Sequence, residues 1–510
     1  MENPNLELVR QILKSQVFLV QTLDQQQITL EQIIATGEVT RQEVYKLLND
    51  LVAEQDINNQ LIEVINKLDY NTFLNFVLKG DIRGKDLIRL CNTSKKFNDF
   101  CNRSFQLQDS QGKIIGDPQD QYLFRLVLDK MKIKIPDWRT PRQTYLDKTV
   151  GGKVIVFGYN EQGQLGLGNT TNERIPRLSL NLSGIIQVSG GRNHTLFLDN
   201  KGRVWASGTN TYGETAGKTA HLSVIPRLID GLENIIQVSA GYYRSFCLDN
   251  QGHVWAFGDG SEGQLGMGMD KRVFVTAPTI IPRLDNIIQV NCGRDHCLCL
   301  DNRGRVWSFG FNNFGQLGIG NTIAVYDPII VSELVQIIQV VAGNGHSHCL
   351  DKWGRVWSFG VNAYGELGLG DNQHRYKPVM IPTLSNIIQI AGSHFHILCL
   401  DDQGKVWAFG KDEHGELGLS RSNILQSSNT PTLIYDLPGI VQISTGESHS
   451  LCLDYEGHVW SFGNNRYGQL GLENMTIIDL NQNKPTLIPN LDHIIYINCG
   501  DYNSFCIQRL

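Results

Sequence analysis

The chain has 510 residues and a formal net charge of -6. Hydrophobic residues make up 41% and charged residues 19%, an ordinary globular composition that excludes a disordered or fibrous chain. A net acidic chain is also poorly suited to wrapping a polyanion, which calls for a basic excess.

No uninterrupted apolar run reaches the roughly 18 residues of a membrane-spanning helix. The opening Met-Glu-Asn-Pro lacks the basic and apolar regions of a secretory signal. With 11 cysteines, an odd number, the sequence predicts an intracellular protein, cytoplasmic or nuclear, with free thiols. No membrane partner is expected.

Residues 1–150 hold only five of the 51 glycines and carry 20 basic and 20 acidic residues. Leu6, Val9, Ile12, Leu13 and Val17 recur at helical spacing. Thr40-Arg41-Gln42-Glu43 is a capping box opening a helix that runs to Leu51. Residues 1–135 are therefore expected to form a small all-α domain. Within it, Leu68-Asp69-Tyr70-Asn71 leads to Asp86-Leu87-Ile88-Arg89-Leu90-Cys91-Asn92-Thr93-Ser94-Lys95-Lys96-Phe97 and on to Cys101. This stretch, 68–101, resembles the F-box, with Leu68-Asp69 where that motif ordinarily opens Leu-Pro. The resemblance implies docking on a Skp-type adaptor of cullin ubiquitin ligases through Leu68, Leu87, Leu90 and Phe97. In a plain helical bundle, Leu87, Leu90 and Phe97 would be core instead. Lys95-Lys96 and Lys130, Lys132 and Lys134 read as a solvated basic face. The prolines of Ile135-Pro136-Asp137-Trp138-Arg139-Thr140-Pro141 open a linker over 136–150.

The rest of the chain repeats itself. A Val-Trp-Ser-Phe-Gly-like segment ends at Gly158, Gly208, Gly258, Gly310, Gly360, Gly410 and Gly463, at spacings of 50 to 53 residues. Each copy is followed by a loop such as Asn312-Asn313-Phe314-Gly315-Gln316-Leu317-Gly318 and by a proline segment such as Ile281-Pro282-Arg283-Leu284. Runs like Asn286-Ile287-Ile288-Gln289-Val290 and Gly293-Arg294-Asp295-His296-Cys297-Leu298-Cys299-Leu300-Asp301 complete the unit. The short apolar, partly β-branched runs read as strands. Gly202, Gly252, Gly304, Gly354, Gly404 and Gly457 close the hairpin before the next Val-Trp, where positive φ favours glycine. Near-continuous apolar strands require cover on both faces, as in blades stacked about an axis.

The sequence thus predicts an all-β seven-bladed propeller over 151–510, preceded by the helical domain. The first strand, Lys153-Val154-Ile155-Val156-Phe157, and the last, Asn503-Ser504-Phe505-Cys506-Ile507, lack partners within their own repeats. They are expected to pair and close the ring. The Gly-Gln-Leu-Gly-Leu-Gly loops and Gly-x-x-His-x-Leu-x-Leu segments resemble the regulator-of-chromosome-condensation family over about 151–510. That resemblance implies the propeller fold and, among its members' roles, guanine-nucleotide exchange on a Ran-like small GTPase. The connections Ser420–Pro438 and Glu473–Lys484 are modest, so no large inserted wedge is expected, and the basic tail of that family has no counterpart here.

Candidate chemistry resolves mostly into architecture. Gly163-Gln164-Leu165-Gly166-Leu167-Gly168 lacks the Lys-Ser/Thr of a phosphate cradle and recurs in most repeats, so it reads as a turn. His194, His296, His346, His396 and His449 share one register position with Arg244 and Asn503. Equivalent sites in separate blades stand too far apart for a common metal, so a hydrogen-bonding role at a blade corner is expected. The local pairs His346/His348 and His394/His396 have no third ligand nearby in sequence. Cys247, Cys299, Cys349, Cys399, Cys452 and Cys506 read as small buried residues, with Phe197 in the first copy. Trp205, Trp255, Trp307, Trp357, Trp407 and Trp460 read as blade packing. No catalytic, cofactor-binding or metal residue is assigned. The expected protein is a non-enzymatic binding protein: a substrate receptor of a cullin-type ubiquitin ligase, with an exchange factor or a simple scaffold as alternatives.

Overall fold

A computed structural model describes residues 151–217, 221–268, 274–420, 427–473 and 480–509. The predicted helical domain and the F-box-like residues Leu68, Leu87, Leu90 and Phe97 lie outside the described residues. The tips of the two longer connections, 421–426 and 474–479, do too. Among the described residues, no helix is long and apolar enough to cross a membrane.

The described residues form 28 strands, β1 (Gly152–Gly158) to β28 (Asn503–Arg509). Four-stranded antiparallel sheets cover 235–280, 287–330, 337–380, 387–433 and 440–487. A further eight-stranded sheet joins the two ends of the repeat region. In it β28 pairs with β1 along the whole of both strands, from Gly152↔Arg509 to Gly158↔Asn503. This is the closure predicted from the two orphan strands. A single Gly152↔Ile185 bridge links that group to the strands over 185–228.

One sheet explains the others. β11 (Ile287–Cys292) is innermost, followed outward by β12 (His296–Asp301), β13 (Val306–Gly310) and β14 (Val325–Ile330). β12 is buried at every residue because sheets flank it on both faces, as the continuous apolar pattern requires. Cys297 and Cys299 cluster with Phe309, and Leu298 and Leu300 with Val340, all fully buried. The outermost strands are only part-covered, and they carry the prolines, where a missing N–H donor costs little.

The turn between β12 and β13 shows what the tryptophans do. Asp301 Oδ1 accepts the backbone N–H of Arg303 (2.9 Å) and Arg305 (3.0 Å). Its Oδ2 accepts Arg305 Nε (2.6 Å) and Trp307 Nε1 (3.3 Å). The same Asp–Trp bond recurs at Asp199, Asp249, Asp351, Asp401 and Asp454. Trp307 and its equivalents are half-buried and packed on the core, so the packing role is accompanied by a turn-locking hydrogen bond absent from the sequence reading.

The glycine loops are turns, as expected. Gly163 and Gly166 both have φ of 67°. Their N–H groups, with that of Leu165, are spent on Asn160 and Gly163 within the loop, leaving no nest for an anion.

One expectation is corrected. The six in-register cysteines are free and buried, as is Cys499, but Cys292 and Cys297 are joined. They are direct partners across β11 and β12, with Cα atoms 4.2 Å apart, so pairing within one sheet succeeds where pairing between sheets does not.

Candidate functional site: the mouth of the axial cavity

The innermost strands each pack against the next around a closed circle. They enclose a polar cavity of about 220 Å³. A repeated glutamine builds its wall. Gln289 Nε2 donates to Val340 O (3.2 Å) while Gln289 Oε1 accepts Val340 N–H (2.9 Å). Gln187, Gln237, Gln339, Gln389 and Gln442 make the same two bonds to their neighbours. In the last copy Tyr496 replaces glutamine, and its hydroxyl donates to Val188 O (3.1 Å). Each sheet edge thereby has its backbone groups paired sideways. The sequence signal was the polar third residue of every Ile-Ile-Gln-Val run. Its meaning depends on a neighbour about fifty residues away.

The register histidines form a second layer. His194, His296, His396 and His449 place Nε2 2.8–3.0 Å from Ser245, Ser347, Ser450 and Ser504 of the next sheet. Each of those hydroxyls donates its one proton to a loop carbonyl, as Ser347 does to Gln316 O at 2.8 Å. The imidazole must therefore be the donor, neutral and protonated on Nε2. Burial agrees: it pushes His296 down to about 3 and His194 to about 4. His346 bonds His394 O instead (3.2 Å). Arg244, buried in the same register, donates to Arg294 O and faces Asp259 and Asp295. The corner role expected for these positions is what the structure shows.

Two residues before that histidine, the repeats stop agreeing. The positions read Arg192, Tyr242, Arg294, Asn344, His394, Glu447 and Asp501. Tyr242, Arg294, His394 and Asp501 line the cavity. Backbone bonds between neighbours fix this lip: Arg294 N–H donates to Gly343 O (3.2 Å), Asn344 to Ser393 O (3.1 Å) and Glu447 to Asp501 O (2.9 Å). One arc is basic and aromatic. The guanidinium carbons of Arg192 and Arg294 lie 4.4 and 4.9 Å from the Tyr242 ring centre. The other arc is acidic. His394 Nδ1 lies 3.3 Å from Glu447 Oε2, and Nε2 lies 3.3 Å from Asp501 Oδ1. Burial alone would depress His394, but Asp501 and Glu447 outweigh it and raise it to about 10. Glu447 and Asp501 are the partners that sequence distance concealed: His394 has neighbours of its own, brought from other sheets.

Aromatic groups surround the lip. Tyr212 lies between Tyr243 (4.9 Å) and Phe274 (5.0 Å). Tyr159, Tyr467 and Tyr502 form another group, and Tyr364 meets Phe395 beneath Lys411. Phe274 and Phe314 are 52% and 41% exposed.

Comparison with known proteins places this architecture. The model of the RCC1-like domain matches residues 153–506. The chain belongs to that family. Within it, human Protein RCC2 is 30% identical over 198 residues, 33% of this chain and 38% of RCC2. The human probable E3 ubiquitin-protein ligase HERC6 is 34% identical over 358 residues, 69% of this chain and 25% of HERC6. The matched part thus spans about two-fifths of the RCC2 relatives and a quarter of HERC6. Among solved structures, Prp20p of Saccharomyces cerevisiae superposes with a TM-score of 0.65 at 26% identity, over 72% of this chain and 95% of that one. Prp20p was described together with its binding properties to Gsp1p and histones. Human WBSCR16, at 21% identity and a TM-score of 0.63, shares the fold. The RCC1-like region is therefore a propeller of repeated four-stranded sheets from a family of protein-interaction modules.

Proposed function

We propose that the RCC1-like region has seven blades and is a non-enzymatic module that holds a protein partner on the lip of its axial cavity. The observation that carries this is the contrast between repeat positions. Glutamine, histidine and glycine recur wherever the frame needs them, whereas the lip residue differs in nearly every copy. A surface that varies on a repeated frame is suited to reading a partner, and its Arg, Tyr and flanking aromatics are the residue types enriched where binding energy concentrates.

In the whole chain, the lip would hold the protein to be modified, and residues 1–135 would recruit a cullin-type ubiquitin ligase. The F-box-like resemblance over 68–101 supports this, with Leu68, Leu87, Leu90 and Phe97 meeting a Skp-type adaptor. The test is capture of a purified Skp-type adaptor by the full chain. Capture lost in the Leu87→Asp, Leu90→Asp double variant supports the reading. No capture by the parent chain under mild conditions overturns it.

A second reading is exchange of guanine nucleotide on a Ran-like GTPase, favoured by the similarity to Prp20p. The full chain should then accelerate release of labelled GDP, and Tyr242→Ala or Arg294→Ala should slow it. Release no faster than the spontaneous rate removes this reading.

A further inference from the structure

We propose that His394, Glu447 and Asp501 form a binding site for a zinc-like first-row divalent cation at the mouth of the cavity. The three residues come from consecutive inner-strand ends, in sequence segments about fifty residues apart, at one repeat position. One ring nitrogen and one oxygen from each carboxylate lie within 4.8 Å of one another. The frame has already brought them together, and sharing one tetrahedral ion requires the side chains to draw in to about 3.4 Å from one another.

Glu447 and Asp501 meet opposite nitrogens of the His394 ring, each at 3.3 Å. An ion held by one ring nitrogen takes the place of the proton there and draws the second carboxylate round to it.

A second observation is independent of the spacing. Asp501 is 7% exposed and lines the cavity, yet its Oδ2 is buried with no hydrogen-bond partner. An unpartnered buried carboxylate oxygen is costly, and a cation supplies what it lacks.

The donor set selects the class of ion. One imidazole and two carboxylates suit zinc, cobalt or manganese, whereas calcium and magnesium prefer oxygen alone. Two carboxylates balance a divalent charge, and the polar cavity leaves room for water at a remaining position. Around this first layer, the Tyr502 hydroxyl bonds Glu447 and holds it in place. The bound ion would fasten three neighbouring sheets at the lip.

The test uses the full chain without an affinity tag, stripped with EDTA and dialysed. Calorimetric titration with zinc chloride should show one site per chain, and the melting temperature should rise with added zinc. Asp501→Asn and His394→Gln keep side-chain volume and should abolish both effects. Tyr502→Phe should weaken binding about tenfold, as loss of an outer hydrogen bond does. Cobalt gives a separate reading: visible d–d bands in the parent chain that vanish in His394→Gln. Circular dichroism in EDTA separates a lost site from a lost fold, and Glu447→Gln, on the half-buried lip, replaces any variant that fails to fold. No heat and no melting shift with zinc in large excess overturns the proposal. So does binding that the variants leave unchanged.

Discussion

His394 and His396 stand two residues apart in one turn, yet their surroundings drive them in opposite directions. His396 is buried in the frame, bonded to Ser450 at 2.8 Å, and burial pushes it down to about 3. His394 sits at the lip between two carboxylates and is raised to about 10. The pair divides the molecule into two regions. In the frame, each residue recurs because its partner recurs in the next sheet. At the lip, the backbone is equally well fixed but the side chains are free to differ. Repetition in this protein marks structure, and departure from it marks the surface where we propose binding.

The largest effect is expected where the frame closes on itself. Deleting 151–157 removes β1, whose Val154, Val156 and Phe157 are at most 1% exposed. Phe157→Ala alone should cost about 3–5 kcal/mol. The deletion should cost more, with a fall in melting temperature of roughly 10 °C or greater. An unchanged melt would contradict closure by β1 and β28.

Next comes the glutamine wall. Gln289→Ala leaves the Val340 N–H and carbonyl without their sideways partners. A loss of about 1–3 kcal/mol is expected, read by denaturant or thermal unfolding. A loss near zero would mean that water replaces the amide and that the wall adds little.

The register histidines predict a pH dependence. His296 has its folded value near 3, below an unfolded value of about 6.5. Its contribution is therefore complete above pH 6.5 and is lost as pH falls toward 3. Glu416 runs the other way: burial raises it to about 7, so its penalty is relieved as pH falls from 7 to 4.5. With several buried histidines against it, the net melting temperature should fall between pH 6.5 and 4. His296→Gln, which can still donate to Ser347, should flatten that slope. An identical slope would assign the acid sensitivity to other groups.

The smallest stability effect belongs to the lip. Arg294 is exposed, and Arg294→Ala should change stability by only about 0.5 kcal/mol or less. Its effect should appear in partner binding alone. Destabilisation as large as that of Gln289→Ala would erase the distinction between the two regions.

Much of the frame was legible beforehand because its signals are local. Apolar runs bounded by glycine turns name their own strands, and the repeat length set the register of every copy. Closure followed from two strands without partners. The Asp–Trp bonds, the Gln289-type wall and the Cys292–Cys297 pair were not legible. In each, the residue type was visible but not the atom it would meet.

From the amino-acid order alone came the strand repeat, the circular closure and the hydrogen-bonding corner role of the register histidines. These depend on short-range patterns and on which residue types share a repeat position. Only the tertiary structure decided that Arg192 and Arg294 flank Tyr242, and that His394 meets Glu447 and Asp501. Those residues lie tens to more than a hundred positions apart in the chain, and curvature of the ring, which no single repeat encodes, brings them to one mouth.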